Sequence, residues 1–144
     1  MFLLGTWRGE GVAQYPTTDT FAYGEELTFE QAGEPYLLYS QRSWLAEDGS
    51  PLHFERGFLR SLGEGKVDLV LAHPLGVAEV AEGTVSEGVL ELASIAVVRT
   101  STGDPVTELT RRYEFRGDEL VYEGRMATDE VELTVHTRAT LKRL

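Results

Sequence analysis

Three histidines, His53, His73 and His136, and no cysteine stand in this 144-residue chain. Any metal ligand or proton carrier working near neutral pH draws on those imidazoles, on the 24 carboxylates or on hydroxyls. The histidine spacing matches no zinc signature, since neither HExxH nor CxxC occurs. No GxSxG elbow presents a serine nucleophile. With no thiol there is neither a disulfide framework nor a thiolate centre. Most carboxylates alternate with apolar residues in strand-like stretches, which reads as a solvated face.

The three imidazoles differ in what their neighbours imply. His73 shares its parity with Val67, Leu69 and Leu71, so it points to the apolar side of a strand. Pro74 follows and has no N–H to donate, which puts His73 near a sheet rim. A satisfied core histidine and a pocket residue both fit that position. Met126 shares parity with Leu120 and Tyr122 and is a core or pocket-wall residue. The His53 face carries Glu55, Gly57 and Leu59 and is mixed. For His136, strict alternation places Val131, Leu133, Val135, Ala139 and Leu141 on one face and His136 with Glu132, Thr134, Arg138 and Lys142 on the other. It turns inward only if a bulge shifts the register, or if a cavity borders that polar face.

The elements that must position these groups read as strands. Apolar residues recur at period two and Gly, Asp or Pro punctuates the chain about every dozen residues. Ten strands are predicted, near 4–13, 22–31, 35–46, 51–60, 66–73, 76–84, 88–98, 106–116, 118–127 and 131–143. Short links such as Gly63-Glu64-Gly65, Ser86-Glu87-Gly88 and Arg116-Gly117-Asp118 suit tight hairpins, so the order is an up-and-down meander. Closing on itself removes its edges, giving an all-β antiparallel barrel of the fatty-acid-binding or lipocalin kind, wide enough to enclose a small ligand. Segment 14–21 is expected to be a short helical or 3₁₀ cap over one mouth. No linker or repeat divides residues 1–144, so a single domain is expected.

A formal net charge of −11 opposes binding to nucleic acid, which requires a Lys/Arg surface that neutralises phosphates. The start, Met1-Phe2-Leu3-Leu4, is too short and uncharged for a secretory leader, and Thr6-Trp7-Arg8 breaks it before it could span a bilayer. A soluble cytoplasmic protein with no membrane partner is expected. Oligomeric state is open, a homodimer included.

One ordered series adds more. Gly5-x-Trp7-x-Gly9-x-Gly11 and Tyr15-Pro16-Thr17 open it, followed by Tyr23-x-Glu25-Glu26 and Pro51-Leu52-His53-x-Glu55-x-Gly57-Phe58-x-Arg60. Ala72-His73-x-x-Gly76-x-x-Glu79-x-x-Glu82-Gly83, Met126-Ala127-Thr128 and His136-x-x-Ala139-Thr140-x-Lys142 complete it. A lone GxW also begins lipocalins, but the whole series resembles the nitrobindins, haem-binding ten-stranded barrels. The resemblance implies one haem b per chain with His136 as axial iron ligand, Thr17 bordering the macrocycle, and Leu52, His53, His73 and Met126 at pocket positions. It also implies a ferric haem that binds nitric oxide and isomerises peroxynitrite to nitrate, in detoxification or sensing of reactive nitrogen species. Leu52 and His73 depart from the Met and Gln common in that family, which alters the polarity and crowding of the open iron face. Two alternatives use the same barrel: a non-catalytic carrier of an apolar small ligand, and a module whose barrel is packed solid.

Overall fold

Alternation of apolar and polar residues yields ten antiparallel strands that close into one barrel, each paired with its sequence neighbours and the last with the first. The structure, a computed structural model, describes residues 2–144; Met1, the first residue of the apolar start, lies outside them. The strands are β1 Gly5–Tyr15, β2 Thr18–Gly33, β3 Tyr36–Leu45, β4 Pro51–Gly63, β5 Lys66–His73, β6 Val77–Ser86, β7 Val89–Arg99, β8 Val106–Arg116, β9 Glu119–Thr128 and β10 Thr134–Arg143. The expected up-and-down barrel is therefore the fold found.

The expected cap over 14–21 is absent. β1 runs on through Tyr15, a two-residue turn at Pro16-Thr17 reverses the chain, and β2 starts at Thr18 with Tyr15 paired to it. Pro16 presets a turn φ, while β-branched Thr18 and Thr20 and aromatic Phe21 favour extended backbone over a helical turn. β10 begins three residues later than expected, because Thr128 Oγ1 accepts hydrogen bonds from the N–H groups of Glu130 and Val131 and holds that link as a turn.

One end of the barrel is packed solid. Trp7, Phe29, Tyr39 and Tyr113 are almost wholly buried there, and Phe115 packs edge-on against both Trp7 and Phe2. The Tyr39 and Tyr113 hydroxyls share a 2.7 Å hydrogen bond, which satisfies both in the core. Trp7 Nε1 donates to the Leu3 carbonyl at 3.1 Å, and the Arg143 guanidinium lies 4.2 Å from the Trp7 ring centroid.

Gly9 and Gly11 lie opposite Leu141 and Ala139 on the β1–β10 seam. A Cβ on either would run into a β10 carbonyl, that of Thr140 or Arg138, so close closure of the barrel needs glycine there. Gly5 holds φ +129°, a conformation side-chain-bearing residues rarely adopt. The GxWxGxG run thus seals one end and one seam. It is remote from the open end.

Candidate functional site

The other end is hollow. A cavity of about 500 Å³ lies there, so the solid-barrel reading fails. Its volume falls in the range typical of cofactor sites, roughly 300–1,000 Å³. Thr17, Leu52, His53, His73, Met126 and His136 all line it. The structure therefore brings together every residue placed at a pocket by resemblance, and sets Gly5, Trp7, Gly9 and Gly11 apart from them.

His136 reaches the cavity through a bulge. On the β9–β10 ladder Val135 pairs with Arg125 and Thr137 with Gly124, leaving His136 as an extra, unpaired residue. The extra residue resets the alternation, so His136 and Thr137 both face inward while Ala139 and Leu141 stay in the core. Strict alternation alone gave His136 to solvent; the bulge overturns that parity. Gly124 opposite completes the arrangement, since a Cβ there would stand 2.6 Å from the Tyr122 hydroxyl and 2.8 Å from Thr137 Oγ1.

Tyr15 meets the His136 ring edge-on, with centroids 5.2 Å apart, and is itself fixed by donating its hydroxyl to the Met126 carbonyl at 3.0 Å. Desolvation lowers the His136 pKa, and the charge of His53 lowers it further. The ring is thus held neutral, makes no hydrogen bond to another group among the described residues, and borders the cavity. That is the state in which imidazole ligates iron. The fit to a haem is good: a neutral imidazole with no hydrogen-bond partner among the described residues, in a cavity of suitable size.

β5 stands diametrically opposite β10 in the ring of strands, and β4 lies beside it. This wall is polar. His73 Nδ1 lies 3.2 Å from His53 Nε2, which is also 3.2 Å from Glu55 Oε1. His73 Nε2 lies 3.0 Å from Glu79 Oε1. Behind them Arg111 donates from NH1 to Glu55 Oε2 at 2.6 Å, and from Nε and NH2 to the two Glu79 oxygens at 3.2 and 2.6 Å. Burial pushes the Glu55 carboxyl up, but the Arg111 charge and the His53 hydrogen bond outweigh it and hold the pKa at about 2. Glu79 moves below the ordinary range for like reasons, with burial opposed by Arg111 and His73. Both are ionised at neutral pH.

Glu25 behaves oppositely. Burial raises its pKa to about 7, only partly offset by the Tyr23 hydroxyl, which donates to Glu25 Oε1 at 3.0 Å. Two neighbouring buried oxygens, Glu25 Oε2 and Gln41 Oε1, have no hydrogen-bond partner, and a proton on Glu25 supplies a donor there. The folded-state pKa lies above the unfolded value, so this contribution to stability is full below about pH 4.5 and is lost as pH rises through 7. Glu25→Gln is expected to leave stability unchanged near pH 4 and to raise it by about 3 kcal/mol at pH 8. Denaturant melts of both proteins across that range check this, and an equal difference at both ends would contradict it.

Buried Glu25, Glu55 and Glu79 are exceptions to the solvated-face reading of most carboxylates, and Arg111 is buried with them. Parity carried the signal: Glu25 lies between Tyr23 and Leu27, Glu79 between Val77 and Ala81, and Arg111 between Leu109 and Tyr113 on inward faces. The adjoining Arg112 faces outward and pairs with Glu91 and Glu114.

Comparison with known proteins bears on this site. The family described as THAP4-like, heme-binding beta-barrel domain matches residues 1–143. Peroxynitrite isomerase 2 of Mycobacterium ulcerans (strain Agy99) is 44% identical over 98% of this chain and 90% of its own length. Peroxynitrite isomerase 1 of Rhodococcus jostii (strain RHA1) is 42% identical over 96% of this chain and 79% of its own. The crystal structure of Rv2717c from M. tuberculosis superposes with a TM-score of 0.91 at 41% identity, covering 99% of this chain and 93% of that one. The S-type phycobiliprotein lyase CPES from Guillardia theta shares the fold alone, with a TM-score of 0.69 at 13% identity, over 99% of this chain and 89% of that one.

Proposed function

The chain belongs to the THAP4-like, heme-binding β-barrel family, in accord with the nitrobindin resemblance, and from that premise we propose that it is a haem-dependent peroxynitrite isomerase. One b-type haem occupies the open-end cavity on His136, and the same ferric site takes nitric oxide. The work is removal or sensing of reactive nitrogen species. The observation that carries the reading is the bulge that turns His136, neutral and without a protein partner, into the cavity.

When bound, the haem would supply a ferric centre able to convert peroxynitrite to nitrate. The chain's residues hold and shield that centre. His136 offers its lone pair, and Tyr15 fixes the ring orientation from the side. Thr17, Leu52 and Met126 line the remaining wall and limit access to small molecules. His53 and His73, on the wall opposite β10, present their rings to the cavity there and set its polarity. Glu55, Glu79 and Arg111 fix those rings in place.

The apolar-carrier alternative fits less well. A purely apolar tail gains nothing from a wall that contains two histidines, Glu25, Glu55 and Arg111, and burying it there would strip water from charged groups.

Stopped-flow measurement of peroxynitrite decay tests the proposal. The ferric holoprotein is expected to speed decay toward nitrate at least about tenfold over the haem-free chain and to protect free tyrosine from nitration. The anion approaches a protein of formal net charge −11, so the rate should rise with ionic strength as screening relieves repulsion. A holoprotein no faster than its haem-free form, or than free hemin, would overturn the enzymatic reading and leave a haem carrier.

A further inference from the structure

We propose that His53, Glu55 and His73 form a binding site for a divalent transition cation of the Zn²⁺ type, on the cavity wall opposite His136. His53 Nε2 lies 3.2 Å from both Glu55 Oε1 and His73 Nδ1, and one donor atom from each of the three residues lies within 4.8 Å of the other two. Donors around a tetrahedral ion with bonds of 2.0–2.1 Å sit about 3.3 Å apart, so two of the three edges already have the length an ion requires. Two imidazoles and one carboxylate, with a fourth position open to the cavity, match the donor set of zinc sites that keep a water or ligand.

The proton arrangement points the same way. Both Glu79 oxygens accept from Arg111, so the 3.0 Å contact to His73 Nε2 is one in which the ring N–H donates, and it leaves Nδ1 as the nitrogen turned to His53. Glu55 Oε1 is likewise an acceptor, its other oxygen being taken by Arg111. Two lone-pair carriers therefore converge on His53 Nε2, and a single proton on that nitrogen serves both. A cation replaces that proton and bonds to all three atoms at once.

The outer shell is also in place. The carboxylate of Glu79 orients the His73 ring through its far nitrogen, as metal-bound histidines usually require, and Arg111 holds both carboxylates in turn. The sequence gives no warning of this site: the ligands come from two strands at a spacing outside any zinc signature.

The ion and the haem share a cavity but no ligand, so the two readings fail separately. Zn²⁺ titrated calorimetrically into the untagged, haem-free chain is expected to bind once per chain, in the wild type and equally in His136→Ala. Co²⁺ in its place should give the intense visible bands of a four-coordinate ion. In the haem-loaded chain, elemental analysis after dialysis against Zn²⁺ should find the same single equivalent. His53→Gln and His73→Gln should each weaken binding at least about 100-fold, and Glu79→Gln about 10- to 100-fold. Thermal melts of each variant identify any that has not folded, and the remaining variants then decide. No stoichiometric binding, binding indifferent to His53 and His73, or binding lost with His136 instead would each overturn the proposal.

Discussion

Replacing His136 by alanine is expected to weaken hemin binding on the order of 100-fold or more and to abolish the ordered high-spin ferric signal expected of the wild-type chain. The bulge makes His136 the one imidazole on its wall, and Thr137, Met126 and Thr128 beside it cannot substitute as strong iron ligands. The remaining histidines are tied into hydrogen bonds on the opposite wall. Hemin titrations and electron paramagnetic resonance on both proteins measure the effect. An unchanged spectrum in the variant would reject His136 as ligand. A low-spin bis-imidazole signal in the wild type would mean that His53 or His73 closes the second axial position, and His53→Leu and His73→Leu would then tell which.

Arg111→Leu is expected to destabilise the fold by about 3–5 kcal/mol, because it removes the guanidinium that contacts the two buried carboxylates Glu55 and Glu79. For a chain of this length each kcal/mol lowers the midpoint by roughly 2–4 °C, so the loss should fall at roughly 6–20 °C. The effect has a pH signature. Glu55 and Glu79 ionise below their unfolded-state range, so the stability they supply is present above about pH 4.5 and fades as pH falls toward 2. The gap between wild type and variant should therefore narrow in acid. A loss under about 1 kcal/mol at pH 7 would show that the ion-pair cluster does not hold this wall together. Replacing the whole cluster by apolar residues would not carry the same penalty, since buried ion pairs rarely exceed well-packed hydrocarbon in stability. Its presence in the cavity wall is thus better explained by what it orients than by what it stabilises.

The strands and their order were legible in the sequence because two-residue periodicity and Gly, Asp or Pro turns are local signals. The turn at Pro16-Thr17 was misread as a cap because its flanks mix polar and aromatic residues without clear alternation. His73 was legible as inward facing, since an uninterrupted strand keeps parity from Val67 onward. His136 was not, because one bulged residue reverses parity and leaves no mark in composition; only the resemblance placed it in the cavity. The Glu25, Glu55, Glu79 and Arg111 group was missed for a different reason. A carboxylate on an inward face is ordinarily too costly to bury, and the guanidinium that offsets Glu55 and Glu79 lies more than thirty residues from Glu79 and more than fifty from Glu55. Pairing across that distance is a property of the closed barrel and cannot be read from either segment alone.

Titration of hemin into the purified haem-free wild-type chain, followed through the Soret band, tests the central claim most directly. The account predicts a sharp, shifted band that rises linearly and breaks at one haem per chain, with a spectrum distinct from free hemin. A band that matches free hemin, or one that grows without a break, would contradict a haem site in this cavity.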